Sequence, residues 1–271
     1  MKLALFGYGS MGHEIEAVAT GRGHRVVLCV DPAAAGPEGG SPASRDTPDG
    51  GGTPKIVTAV HGAEALEEVD CVIEFAQSGG VLENARLYAA AGVPAVVGTT
   101  GWDDQRETVR AEVEQAGAAY LYGANFSVGA NVFVYIVEAA TRALNAVEAY
   151  DVAVAETHHN RKADSPSGTA IAVADRILAN LDRKSTVQPE TLHRPIQKEE
   201  LHVGSTRVGS VPGIHRVLFD SPADSIEISH SARSRGGFAL GAVLAAEWLP
   251  GRTGFFSVDD FMAGLLGSPK A

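Results

Sequence analysis

Residues 3 to 12 read LALFGYGSMG, an apolar run followed by glycines at 7, 9 and 12. The apolar run suits one buried strand, and Met11 to Thr20 continues in a helical pattern. A strand, a three-glycine turn and a helix in that order constrain the fold more than any other stretch. Gly7 permits the tight turn, Gly9 lets backbone approach a bound group, and Gly12 lets the helix pack on the strand. The helix start then offers unpaired N–H groups and a positive dipole end, which suit a pyrophosphate. Arg25 to Val30 reads as the second strand, and Asp31 ends it nineteen positions after Gly12. A carboxylate at that place accepts hydrogen bonds from an adenosine ribose. The reading is a dinucleotide site built from Gly7, Tyr8, Gly9, Ser10, Met11, Gly12 and Asp31, against the alternative of an ordinary glycine-rich turn. Asp31 repels a 2′-phosphate, so NADH is expected to be accepted well. Arg45 or Lys55 could fold back to pair that phosphate, so NADPH stays open.

The next hundred residues repeat the alternation. Val69 to Phe75, Ala95 to Val97 and Ala118 to Tyr122 read as strands, with helices over Val81 to Ala91 and Asp103 to Ala116. Alternation of this kind predicts a parallel sheet with helices on both faces. Pro32 to Pro54 interrupts it, rich in Gly and Pro and without apolar periodicity, and reads as a long surface loop. Gly98-Thr99-Thr100-Gly101 follows a strand and falls at the carboxyl edge of the sheet, where ligands bind.

Past Asn125-Phe126-Ser127 the pattern changes. Asn131 to Leu144 and Ser167 to Leu181 read as helices. Ala149 to Ala155, Leu201 to Val203, Ser205 to Val211, His215 to Asp220 and Ser225 to Ala232 read as strands joined by short turns. Gly237 to Leu249 returns to an apolar helix. The expected architecture is α/β: a Rossmann-like, doubly wound parallel sheet domain over 1–126 and 236–271. An α+β substrate-binding and oligomerisation domain over 127–235 carries an open mixed sheet.

Residues 156 to 170, ETHHNRKADSPSGTA, concentrate the remaining chemistry. Ser165-Pro166 imposes an extended approach to a helix that Ser167 can cap. The amides of Gly168 and Thr169, with the Thr169 hydroxyl, then form an anion site beside the ammonium of Lys162. Lys162 can also donate a proton. His158 and His159 end a strand and diverge, so one imidazole is expected to face the pocket. Divergent histidines, with no Cys-rich or H-E-x-x-H ligand set, argue against a metal site.

The chain has 271 residues, 45% hydrophobic and 20% charged, with a net charge of -11. That balance argues against general binding to nucleic acid or to an anionic membrane, and an anionic substrate therefore needs a local cationic cluster. No run approaches a membrane span or a signal peptide, and Cys29 and Cys71 sit in apolar strands as reduced thiols. A soluble cytoplasmic protein is expected.

The segment Glu156-x-His158-His159-x-x-Lys162-x-Asp164-x-Pro166-Ser167-Gly168-Thr169-Ala170 resembles the signature of the dihydrodipicolinate reductase family. The resemblance extends through the N-terminal glycine turn, Gly98 to Gly101, Ala124 to Ser127, Gly213-x-His215, Ser229-His230-x-Ala232-x-x-Arg235 and Phe238 to Ala242. It implies reduction of 4-hydroxy-tetrahydrodipicolinate (dihydrodipicolinate) to tetrahydrodipicolinate in the diaminopimelate route of lysine biosynthesis, with NADH or NADPH as hydride donor. His158 then matches the catalytic histidine and Lys162 the proton donor. On the same resemblance, His159, Lys162, Ser167, Gly168 and Thr169 are expected to hold the small dicarboxylate substrate. Phe75, Gly98, Thr99, Thr100, Ala124, Asn125 and Phe126 are expected to line the cofactor. The resemblance also implies a homotetramer built through the second domain, and hinged domains that close over substrate. One departure stands out: Phe75 is followed by Ala76, where the family often has a hydroxyl residue. The remaining alternatives are a reductase of the same architecture acting on another small dicarboxylate or imine, and a nucleotide sensor without catalysis.

Overall fold

The computed structural model describes residues 1–34 and 53–267. Most of the expected Pro32 to Pro54 loop, with Arg45, lies outside the described residues. The chain divides into two compact units, Met1–Val128 with Gly236–Ala271, and Gly129–Arg235.

The first unit opens with β1 (Lys2–Phe6), α1 (Ser10–Gly21), β2 (Arg25–Val30) and β3 (Lys55–Val57). It continues with β4 (Cys71–Glu74), α2 (Val81–Ala91), β5 (Ala95–Val97), α3 (Arg106–Gln115) and β6 (Ala119–Tyr122). Helix α4 (Val128–Asn145) leads into the second unit, which holds β7 (Asp151–His158), α5 (Gly168–Asn180), β8 (Thr186–Gln188), β9 (Glu200–Arg207), β10 (Ile214–Asp220) and β11 (Ser225–Ser231). The chain then returns to the first unit as α6 (Gly236–Trp248), β12 (Gly254–Ser257) and α7 (Val258–Leu266).

In the first unit seven strands run in the order β12-β6-β5-β4-β1-β2-β3, every pairing parallel. The central strands β4 and β5 are buried along their whole length, as a sheet covered on both faces requires. Strand order reverses between β1 and β4, so the carboxyl ends of these two strands flank the crevice where such sheets bind ligands. The returning segment is integral to this unit. Glu247 of α6 accepts hydrogen bonds from Arg22 Nε at 2.8 Å and Arg22 Nη2 at 2.8 Å, and pairs with His24 at 2.7 Å.

The second unit is a mixed five-stranded sheet, β11-β10-β7-β9-β8. Strand β10 is antiparallel to both β7 and β11, whereas β9 is parallel to β7 and β8. Alternate residues Val152, Val154, Leu201, Val203, Val217 and Phe219 face Phe133 and Val137 of α4 and Val173 and Ile177 of α5. The opposite face carries Ala153, Ala155, Arg216 and Leu218, and Leu218 is 40% exposed.

Several boundaries differ from the sequence reading. The two strands expected over 201–203 and 205–211 are one strand, β9, because Gly204 stays extended and pairs with Ala155. Strand β7 runs on from Ala155 to His158, since its inward alternation continues through the polar Glu156 and His158. Helix α4 starts at Val128 rather than Asn131. Strands β3, β8 and β12 and helix α7 were not foreseen, the strands being only three or four residues long.

Candidate active site

At the switch point of the first unit, four loops, those after β1, β4, β5 and β6, are packed against one another. Gly7 has φ +90°, and a Cβ there would lie 2.1 Å from the Phe75 carbonyl oxygen. A Cβ on Gly12 would lie 2.6 Å from the Gly7 carbonyl oxygen, whereas nothing stands within 4 Å of one on Gly9. The turn is therefore closed by Gly7 and Gly12 and open at Gly9, which fits a pyrophosphate laid against the start of α1. Ser10 is exposed and Met11 half-buried at that helix start. Asp31 accepts from the Tyr8 amide at 2.8 Å and from the Ala33 amide at 2.8 Å, so its carboxylate pins the turn as well as marking the end of β2.

The Phe75 ring occupies the space beside Gly98, where a Cβ would come within 2.2 Å of it. It also meets the Phe126 ring edge-on at 6.2 Å. The structure thus brings Gly7, Phe75, Gly98 and Phe126 together, with Thr99 buried behind them and Thr100 exposed. Ala124 is exposed in the loop after β6, and Asn125 Oδ1 accepts the Ser127 amide at 2.9 Å, shaping that loop.

In the second unit the chemistry gathers at the end of β7. Glu156 and His158, two residues apart, share the inward face. The Glu156 side chain has no exposed surface. Its Oε2 hydrogen-bonds with His158 Nδ1 and accepts from Arg207 Nη1 at 3.0 Å, while its Oε1 accepts from Arg207 Nη2 at 2.7 Å and from the Ser167 amide at 3.3 Å. Burial alone would push the Glu156 carboxyl up, but the Arg207 guanidinium and then the His158 ring outweigh it and hold it at about 2. Arg207 also donates to the Asp164 carbonyl at 2.7 Å. One carboxylate therefore ties together the imidazole, the start of α5 and, through Arg207, the loop that carries Lys162.

Ser167 caps α5: its Oγ accepts the Ala170 amide at 3.2 Å. The same oxygen lies 3.1 Å from His215 Nε2. Ser167 is only 2% exposed, with amide and hydroxyl both engaged inside the protein, so its contribution is to fix the helix start. The leading amides of that first turn belong to Gly168 and Thr169. The Ser165–Pro166 bond before them is cis. The Lys162 ammonium sits 2.8 Å from Asp164 Oδ1 and its amide donates to the His159 carbonyl at 3.1 Å. The hydrogen bond from the Lys162 ammonium is the first cause holding the Asp164 carboxyl below its usual range. His159 is half-buried and its Nδ1 has no hydrogen-bond partner among the described residues.

Three residues without a role in the sequence reading belong to this constellation: Glu156, Arg207 and His215. The His215 ring meets His158 edge-on at 5.1 Å, and His215 is pushed down to about 4, first by burial and then by the neighbouring His158 charge. It is neutral at neutral pH. Gly213 borders His158 from the other side, where a Cβ would lie 2.9 Å from Nε2. The signal for Glu156 and His158 is the alternation itself: Val152 and Val154 set an inward phase that these two polar residues continue. Arg207 carries no comparable signal, since its partnership depends on β9 lying beside β7. Among the described residues, no group of three or more His, Cys, Asp or Glu is placed to hold a metal ion. No described helix is long and apolar enough to cross a membrane.

Comparison with known proteins agrees across both units. The family described as "Dihydrodipicolinate reductase, N-terminus" matches residues 1–126, and "Dihydrodipicolinate reductase, C-terminus" matches residues 129–262. A 4-hydroxy-tetrahydrodipicolinate reductase from Christiangramia forsetii is 34% identical over 265 residues, 98% of this chain and 99% of that protein. Its counterpart from Methanosarcina mazei is 38% identical over 197 residues, 72% of this chain and 73% of that protein. The solved dipicolinate-bound dihydrodipicolinate reductase from Paenisporosarcina sp. TG-14 superposes with a TM-score of 0.75 at 21% identity, covering 95% of this chain and 97% of that one.

Proposed function

The chain belongs to the dihydrodipicolinate reductase family, and from that premise we propose which of its residues carry out the reduction of 4-hydroxy-tetrahydrodipicolinate to tetrahydrodipicolinate. The reaction serves the diaminopimelate route of lysine biosynthesis and uses a nicotinamide cofactor. It consumes one hydride and one proton and releases the substrate hydroxyl as water.

The observation that carries the assignment is the buried, ionised Glu156, which holds His158, Arg207 and the start of α5 in one network. The substrate is a dianion and the chain's net charge is -11, so binding needs local positive groups. Lys162, His159 and the Gly168 and Thr169 amides supply them. Asp164 holds the ammonium in place until a substrate carboxylate replaces it. His158, oriented through Nδ1 by Glu156, presents its Nε2 to the negative charge that develops during reduction. Lys162 supplies the proton that quenches this electron density.

A reduced nicotinamide, when bound, would supply the hydride. Gly7 to Gly12 and Asp31 would hold its adenosine half, and Phe75, Gly98 to Thr100 and Ala124 to Phe126 would hold the nicotinamide end. The test is direct. Substrate is generated with an upstream synthase and oxidation of NADH and NADPH is followed. No oxidation of either would defeat the reading. Turnover of an unrelated imine only would leave the architecture and reject the substrate.

Asp31 favours NADH. Asp31→Ala is expected to weaken NADH about tenfold, the scale of losing a charge-assisted hydrogen bond, and NADPH by less. Because Asp31 also holds the Tyr8 amide, both cofactors lose some affinity, and the ratio of the two dissociation constants is the informative quantity. An equal loss would show that Asp31 does not meet the ribose.

The uncovered face of the second sheet, with Ala153, Ala155 and Leu218, is the surface for a homotetramer. Sedimentation is expected to read four copies of the 28.1 kDa chain. A single-chain mass at assay concentration would reject the assembly.

A further inference from the structure

Glu74 is the last residue of β4, lies wholly buried at the switch point, and has no part in the mechanism above. Its Oε2 accepts from the Tyr88 hydroxyl at 2.7 Å and its Oε1 accepts from the Thr99 hydroxyl at 3.2 Å. Thr99 Oγ1 in turn accepts from the Ala76 amide at 3.0 Å. Position 76 has no hydroxyl of its own, so the loop after β4 is fastened by a hydroxyl from the loop after β5. The Thr99 carbonyl is also fixed, accepting from Trp102 Nε1 at 2.7 Å. The Glu74 backbone joins the same loops: its carbonyl accepts from the Gly98 amide at 2.8 Å, and the adjacent Phe75 amide donates to the Phe6 carbonyl at 2.8 Å.

We infer that Glu74 is a positioning residue for the nicotinamide cofactor, acting through Thr99 to lock the Phe75–Ala76 and Gly98–Thr99 loops in their binding geometry. The inference rests on the reading of these loops as the nicotinamide-binding end of the first unit. Burying a carboxyl in such a place is costly unless its state is useful. Burial pushes the Glu74 carboxyl up to about 7, opposed by hydrogen bonds from Tyr88, Asn84 and Thr99. The groups facing it are neutral: Tyr88 and Asn84 from α2, Thr99 after β5, and Tyr120 of β6, whose buried hydroxyl has no partner among the described residues. The α6 residues buried in this unit are all apolar. The ionised carboxylate is the form that accepts from Tyr88, Asn84 and Thr99 together. The protonated form brings a hydrogen that must displace one of them, and so loosens the hold on Thr99.

NADH is the probe, read by its fluorescence on the full chain. In the wild type, NADH affinity is expected to weaken as pH falls from about 8 to about 6, the interval across which this carboxyl takes up its proton. Glu74→Gln, which cannot ionise, is expected to raise the NADH dissociation constant about tenfold, to flatten its pH dependence, and to leave turnover at saturating NADH and the KM for substrate near wild type. Thr99→Val is expected to produce the same loss, and the double variant no more than either alone, because both cut one chain of contacts. If Glu74→Gln does not fold, the wild-type pH dependence and Thr99→Val carry the test. NADH binding by Glu74→Gln within twofold of wild type, a flat wild-type affinity over this interval, or additive losses in the double variant would each overturn the inference. No NADH or NADPH binding by the wild type would overturn the nicotinamide reading with it.

Discussion

Lys162→Ala is expected to lower turnover at least about a hundredfold while NADH binding persists. The magnitude is that of losing a positioned proton donor. Lys162 follows the end of β7 by four residues, in a loop held from beneath by Arg207 through the Asp164 carbonyl. Among the described residues its charge has one carboxylate partner, Asp164, whose side chain is 57% exposed. An ion pair that open to water contributes at most about 1 kcal/mol to stability, so removing Lys162 should leave the fold intact. The effect must therefore appear in kinetics. Lys162→Arg separates the two duties of the residue. An arginine keeps the positive charge and can hold a carboxylate, but it does not release its proton. The KM for substrate should stay closer to wild type in Lys162→Arg than in Lys162→Ala, with turnover low in both. Near-normal turnover in either variant would remove Lys162 from the proton-transfer step.

The first unit was largely legible because its evidence is local. A strand, three glycines and a helix lie within twenty residues, and Asp31 ends the next strand. What was not legible there depends on packing. The bond that the Ala76 amide donates to the Thr99 hydroxyl crosses between loops of neighbouring strands, and the Gly98 site is shaped by a ring twenty-three positions away. The second unit shows the same division. The Ser167 cap and the inward phase of Glu156 and His158 can be read along the chain. Arg207 and His215 cannot, because each reaches the site only when β9 and β10 pair on either side of β7. Gly204 looked like a break between strands because a glycine weakens strand propensity. Its pairing with Ala155 overrides that local preference.

Arg207→Met is expected to be the most damaging single change to the second unit. It leaves the Glu156 carboxylate buried without its guanidinium, a situation that costs about 3–5 kcal/mol in other buried pairs at neutral pH. The pH dependence gives the cause a distinct signature. In the wild type Glu156 sits at about 2 against an ordinary value of 4.5, so the stability it contributes is present above 4.5 and lost as pH falls toward 2. His215 sits at about 4 against 6.5, so stability also falls as pH drops from 6.5 toward 4. In Arg207→Met the main group holding Glu156 down is gone and burial pushes its carboxyl up instead. Mild acid then relieves the variant by protonating a buried charge, a relief the wild type lacks because its Glu156 stays ionised there, and the His215 loss is common to both. The gap between the two proteins, measured as urea midpoints for loss of structure, should be wide at neutral pH and narrow at mildly acid pH. A gap that stays constant would mean that Arg207 acts through packing and not through the Glu156 charge. Turnover should fall as well, because His158 then rests on a carboxylate that no longer has a fixed place.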